Sequence, residues 1–387
     1  MNKFATVSIL ILLMVSCGRE KISTIVNAEN IVTVNEKDFN TKRKASDVFS
    51  EITLVPLETS DNSLMGEINK IVPVGDIIYL QDNKDKSIVL FDRDGKFIKK
   101  IRRHGRGPGE YITLSDFTVT RTGKIIILDD GSKKLIFLDT DGTYVMQQEL
   151  PVYVDALECI NDSLIVFNGS KFDDRVILWD VQKEKIIASY IKYDLKYTGR
   201  ILKPLIKYRD NIYFQRAQSS VIHNATAKRL EEKWFIDFGK RNIDLKKMIH
   251  VPQFGGIYVN PPNTAHIDQF IETDEYISHH FQCDELDEYL YFLFYSKSTG
   301  RQMFLNYNRY HDDMIFYKYI PHAVTATPSG EFVAWTWPYF WRENMASYNP
   351  KNMEGEELNR WNKIQRQMEK INELDNPILI FFTLKDF

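Results

Sequence analysis

The sequence predicts an all-β fold: a six-bladed β-propeller closed by an N-terminal strand, with a helical insertion in its last blade. Three observations predict it. One phrase occurs twice, Ile88-Val-Leu-Phe-Asp-Arg-Asp-Gly-Lys-Phe-Ile and Leu135-Ile-Phe-Leu-Asp-Thr-Asp-Gly-Thr-Tyr-Val. Each copy is an apolar β-run, an Asp-x-Asp-Gly turn and a second β-run. The turn glycines Gly95 and Gly142 lie 47 residues apart, the length of a blade made of strands and tight turns. One strand type also recurs six times along the chain. Finally, the C-terminal strand Asn376-Pro-Ile-Leu-Ile-Phe-Phe-Thr-Leu-Lys has no outer partner after it, while Glu51-Ile-Thr-Leu-Val-Pro-Leu-Glu precedes the first blade and can supply one. Such strand borrowing removes the open edge between first and last blades.

The recurring strand reads Ile77-Ile-Tyr-Leu, Ile125-Ile-Ile-Leu, Leu164-Ile-Val-Phe, Ile212-Tyr-Phe, Leu290-Tyr-Phe-Leu and Phe332-Val-Ala-Trp. Partner runs follow at Ile88–Phe91, Leu135–Leu138, Val176–Trp179, Ser220–His223, Met303–Tyr307 and, much later, Ile378–Phe382. The spacings are 48, 39 and 48 residues, then 78, then 42. The long gap predicts an insertion at 240–275. A second insertion, 338–376, interrupts the last blade. In it Leu358, Trp361, Ile364, Met368 and Ile371 recur at helical spacing, which predicts a helix packed on the ring.

The domain reading is an export signal at 1–16, a tether at 17–45 and the propeller at 46–387. Lys3 precedes the apolar run Val7-Ser-Ile-Leu-Ile-Leu-Leu-Met-Val, which is too short to span a bilayer and ends at Ser16-Cys17-Gly18. A small residue followed by cysteine at this point resembles a bacterial lipobox, with Met14 where that pattern prefers Leu. Cleavage before Cys17 would leave a lipidated N-terminus, an anchor that needs no spanning helix. The alternative is an ordinary secretory signal cleaved nearby. Gly-Arg-Glu-Lys follows Cys17, without the acidic run of surface-exported lipoproteins, which points to the periplasmic face of the outer membrane rather than the cell surface. Cys159 and Cys283 precede strands in different blades, so two buried free thiols are expected rather than a disulfide.

The formal net charge of −3, with no dominant Lys/Arg block, argues against a nucleic-acid partner. The sequence contains no Gly-x-Ser-x-Gly elbow and no His-Glu-x-x-His pair. The Asp-x-Asp-Gly turns lack the later Glu of a calcium loop and read as hairpin turns. His279 and His280, before Cys283 and Asp284, point to opposite faces of a strand and cannot jointly chelate one ion. No metal and no cofactor are expected.

Two segments remain as candidate ligand sites. The Arg103-His-Gly-Arg-Gly-Pro-Gly-Glu-Tyr crossover gathers Arg102, Arg103, His104 and Arg106 beside Glu110 and Tyr111, and could hold a carboxylate or sulfate. A β-run follows it rather than a helix, so it is no dinucleotide loop. The aromatic run Trp335–Trp341 places Tyr339 and Trp341 past Pro338 in a predicted loop, free to meet a ligand.

The Gly-x-Gly-Pro-Gly-Glu-Tyr phrase, the Asp-Gly turns, the Asn-Pro-Ile-Leu-Ile-Phe strand and the lipobox together resemble the six-bladed β-propeller lipoproteins of Bacteroides and relatives, related in form to NHL-type propellers. The resemblance covers about residues 46–387 and implies the fold and an envelope address. The expected function is binding of a glycan, peptide or partner protein at the channel mouth, without catalysis. The alternative is a propeller hydrolase or lyase whose acid and base come from separate blades.

Overall fold

The computed structural model describes residues 28–170, 174–194, 201, 203–251, 257–259, 261, 263–283 and 291–387. The export signal, Cys17, the first part of the tether and Asp284 lie outside them. Six sheets form the blades of a propeller. The innermost strands are Ile68–Val74, Asp116–Val119, Val154–Asn161, Leu205–Tyr208, Ala265–Glu272 and Thr325–Ala326, in blades one to six. In the last blade Phe332–Thr336 and Ile378–Leu384 follow, and the outer position is taken by Phe49–Pro56, antiparallel to Ile378–Leu384. The ring is therefore closed by the N-terminal strand that the sequence offers.

The second and third strands read as unbroken apolar runs because both of their faces are buried. In blade one, Ile78 and Leu80 pack on blade six with Val333, Leu379 and Phe381. Tyr79, between them, turns to blade two with Phe117, Ile125 and Ile127. Side chains alternate across a strand, so each strand supplies two blade interfaces. The hydrophobic core is thus a ring of layers between blades. Cys159 and Cys283 are buried free thiols in separate layers.

The repeated turns hold these layers in register. At Asp92–Gly95 the Asp92 Oδ1 accepts from the Asp94 and Lys96 amides at 3.0 and 2.8 Å, and Gly95 sits at φ +83°. A Cβ on Gly95 would lie 2.4 Å from the Pro56 carbonyl oxygen of the closing strand. The same turn sends Arg93 to Glu331 of blade six. Gly95→Ala should therefore cost about 2 kcal/mol or more, for left-handed backbone plus a backbone clash. Gly75→Ala is the control: it shares the left-handed backbone (φ +57°) but has open space around the Cβ position, and should cost only about 1 kcal/mol. Urea denaturation of the two variants separates the clash from the backbone strain.

Blade five differs from the sequence reading. Its second strand is Tyr276–Cys283, and Tyr291–Ser296, which contains most of the run taken for the recurring strand, is the third. The inner strand Ala265–Glu272 lies inside the segment predicted as insertion. His279, His280 and Gln282 make Tyr276–Cys283 look polar, yet the two histidines are buried. They do face opposite sides: His279 packs on Phe238, His280 on Phe292 and His322. Among the described residues no group of His, Cys, Asp or Glu could hold a metal.

The segment read as a tether lies on the propeller from Glu29 onward. Asn30–Thr33 adds a parallel strand outside Leu230–Asp237 of blade four, and Phe39 is buried among Phe281, Tyr291 and Phe304 of blade five. In the last blade's insertion, the helix Gly355–Met368 buries Trp361, Ile364 and Met368, the face the spacing predicted. Residues 338–345 form a second helix with Pro338 in its first turn, where a loop was expected. Among the described residues no helix is long and apolar enough to cross a membrane.

Candidate functional site

A cavity of about 730 Å³ occupies the centre of the ring, lined from all six blades. Strand irregularities aim polar groups into it. The pairing register shifts between Ile68 and Lys70, between Cys159 and Asn161, and between Ile267 and Gln269, all on inner strands. Such bulges redirect individual side chains. Lys70 and Gln269, each just after such a shift, line the cavity, with Glu158, Lys203, Lys207 and Trp335.

Lys70 is the hub. Its Nζ lies 3.0 Å from Asp116 Oδ1 and 2.8 Å from Glu158 Oε1, and donates to the Leu157 carbonyl at 3.2 Å. One ammonium thereby stitches blades one, two and three. Burial alone would lower its pKa, but the two carboxylates more than reverse this and hold it above the ordinary lysine value. The acids are saturated in turn. Glu158 Oε2 accepts from Thr118 Oγ1 at 2.6 Å, and Asp116 accepts from the Leu157 and Phe117 amides at 2.9 Å each.

Lys203 and Lys207 are placed differently. Lys203 Nζ donates to Asn69 Oδ1 at 3.1 Å, and Lys207 Nζ lies 3.1 Å from Cys159 Sγ. Among the described residues neither meets a carboxylate within ion-pair distance. Burial pulls Lys203 down to about 8; Asp116 and Glu158 oppose that shift and Lys70 adds to it. At the rim, by contrast, the arginines are occupied. Arg121 pairs with Asp210, and Arg209 pairs with Asp274 at 2.6 Å and donates twice to the Pro328 carbonyl.

Of the segments singled out in the sequence only Trp335, at the start of the aromatic run, lines this cavity; none of the candidate ligand-site residues Arg102, Arg103, His104, Arg106, Glu110, Tyr111, Tyr339 and Trp341 does. The glycine-rich crossover joins the outer strand of blade one to the start of the inner strand of blade two. The cavity is rimmed instead by Gly75, Arg121, Arg209 and Pro328, at the opposite ends of the inner strands. Within the crossover, Arg103 donates to the carbonyls of Gly109 (2.9 Å) and Gly142 (3.3 Å), pinning the loop to the second Asp-x-Asp-Gly turn. Glu110 accepts from the Gly107 amide at 2.7 Å. Tyr111 is buried and donates to the Lys86 carbonyl at 2.6 Å; burial raises its pKa. Arg102 pairs with Asp85, His104 Nε2 lies 3.3 Å from Lys86 Nζ, and Arg106 is exposed. The crossover is a brace in which Arg103 and Glu110 hold the loop's own backbone, while Arg102, His104 and Arg106 stay exposed. Trp341 is fully buried against Tyr317 and can stack on no ligand, whereas Tyr339 is 50% exposed, outside the cavity lining.

Lys70, Asp116, Glu158, Lys203 and Lys207 escaped the sequence reading. Their signal was present: Ile68-Asn-Lys-Ile-Val and Ala156-Leu-Glu-Cys-Ile each put one charge inside a run that reads as buried strand. A buried charge needs a partner or a purpose.

The family described as Domain of unknown function (DUF4934) matches residues 29–383. No curated protein matches the chain. A crystal structure from Bacteroides fragilis NCTC 9343, named as a candidate exported protein, superposes with a TM-score of 0.72 at 19% identity, covering 92% of this chain and 100% of that one. A member of the DUF4221 family from Bacteroides vulgatus ATCC 8482 gives a TM-score of 0.50 at 10% identity, covering 90% of this chain and 100% of that one. At these identities the likeness is one of fold.

Proposed function

The chain belongs to the family described as Domain of unknown function (DUF4934), and from that premise we propose that it is an exported lipoprotein of the bacterial cell envelope that holds a small ligand in its central cavity without catalysing a reaction on it. The observation that carries the reading is the cavity itself. Its size suits a small molecule, and it offers polar groups beside an apolar and aromatic wall, the usual composition of a ligand site. A glycan fragment or a short peptide fits this description. The non-catalytic reading rests on the carboxylates: Asp116 and Glu158 are both held by Lys70 and by further donors, which leaves neither free to exchange a proton with a ligand.

Export and anchoring rest on the signal at 1–16 and the lipobox cysteine Cys17. The B. fragilis structure of like fold, named as a candidate exported protein, supports the same address. Lipid on Cys17 would hold the protein at a membrane surface, the periplasmic face of the outer membrane being favoured by the residues after Cys17.

The test has two arms. The mature protein should gain thermal stability with at least one glycan fragment or peptide from a broad panel, since a ligand that binds only the folded state stabilises it. It should release no product from that compound; turnover would overturn the non-catalytic reading. In cells fed labelled palmitate, the full chain should incorporate label and Cys17→Ala should not. Equal labelling of both would end the anchor proposal.

A further inference from the structure

We infer that the central cavity takes a ligand bearing a single carboxylate, held by the ammonium groups of Lys203 and Lys207. This deepens the reading that the cavity is the binding site, and rests on it. The argument begins with charge balance. Lys70, Asp116 and Glu158 form a closed trio with one net negative charge. Lys203 and Lys207 add two positive charges, so the five groups together carry one positive charge. One monoanion brings the set to neutrality; a dianion overshoots it.

Donor capacity points the same way. An ammonium has three N–H donors. Among the described residues, Lys203 places one on a neutral amide oxygen and Lys207 places one on a sulfur, a weak acceptor. Among the described residues the remaining donors of both have no protein acceptor, in a site where water is partly excluded and a charge-assisted hydrogen bond is correspondingly strong. The rim arginines add no net charge to this balance, since Asp210 pairs with Arg121, and Asp274 with Arg209. Trp335 adds an aromatic wall against which the rest of the ligand can lie.

The groups facing Lys203 are Lys70 on Ile68–Val74, Asp116 on Asp116–Val119 and Glu158 on Val154–Asn161. Their combined effect, with burial, leaves Lys203 losing its proton near pH 8, so the grip on an anion should weaken as pH rises through that value.

Carboxylates of this size come from uronic acids and from acidic amino acids, and calorimetry on the mature chain can tell them apart. The probes are methyl glucuronoside, its methyl ester, N-acetylaspartate monoamide and inorganic phosphate, each at pH 6.5 and pH 9. At least one of the two carboxylates should bind at pH 6.5, about tenfold more weakly at pH 9, while the ester and phosphate bind at least tenfold more weakly than that carboxylate. Binding should fall about tenfold in Lys203→Met and in Lys207→Met. The pH comparison uses the unaltered chain, so it stands even if a variant folds poorly. An ester that binds as well as the acid, a preference for phosphate, or unchanged affinity in folded Lys203→Met and Lys207→Met overturns the inference while leaving the cavity reading intact. Binding that protects only surfaces outside the cavity overturns both.

Discussion

Lys70→Met should destabilise the protein by about 3–5 kcal/mol, the cost of removing one partner from a buried ion group. The cause is the pair of acids left behind. Asp116 and Glu158 are less than a tenth exposed and would face each other without a counter-charge. Thr118 and the Leu157 amide still donate to them, but neutral donors do not replace an ammonium. A buried ion pair is not in itself stabilising, because desolvation offsets much of the attraction. The informative comparison is therefore with Lys70→Met/Asp116→Asn/Glu158→Gln, where no charge is stranded. Urea denaturation should show the triple variant recovering at least half of the loss. A single variant within about 1 kcal/mol of the parent would mean that the trio is more hydrated than the geometry implies.

Acidification should be the second large effect. Burial pulls His223 down to about 4, His279 to about 3 and His322 to about 4. In the unfolded chain each titrates near the ordinary value of about 6.5. As pH falls below that, the unfolded state binds protons that the folded state refuses, so the contribution of these groups is full above the unfolded value and is lost towards the folded one. At pH 5 the loss is on the order of 2 kcal/mol for each histidine. Asp312 works in reverse: burial pushes it up to about 6, so its protonation in the folded state returns roughly 1 kcal/mol by pH 5. The net expectation is a protein several kcal/mol less stable at pH 5 than at pH 7, read from urea titrations at both values. Equal stability at the two would contradict it. His279 allows a sharper check, since among the described residues neither of its ring nitrogens has a partner and its ring neighbours are Phe238 and Phe281. His279→Phe should reduce the difference between pH 7 and pH 5 by about 2 kcal/mol, at little cost at pH 7.

The ring was legible because its grammar is local. Asp-x-Asp-Gly at 92–95 and 139–142 marks hairpins whose geometry needs glycine, and runs such as Ile125–Leu128 announce strands buried on both faces. Strand borrowing was legible from the unpaired C-terminal run. The strand order of blade five was not, because Tyr276–Cys283 buries His279 and His280, and a run containing them does not look like a core strand. Trp341 was misplaced for a related reason: Pro338 was taken for the start of a loop when it opens a helix. The site was least legible. Arg102, Arg103 and Arg106 stand together in sequence, yet the fold turns Arg102 and Arg103 onto Asp85 and backbone carbonyls and leaves Arg106 at the surface. Lys70, Glu158, Lys203 and Lys207 are scattered over three blades and the segment leading into one of them, and only ring closure gathers them.

The central claim is that a ligand is held in the middle of the ring and not on the glycine-rich crossover. Hydrogen–deuterium exchange with a saturating carboxylate ligand tests it most directly. Exchange should slow across residues 68–75 and 203–209 and stay unchanged across 102–111. Protection of 102–111 with the inner strands unaffected would contradict the account.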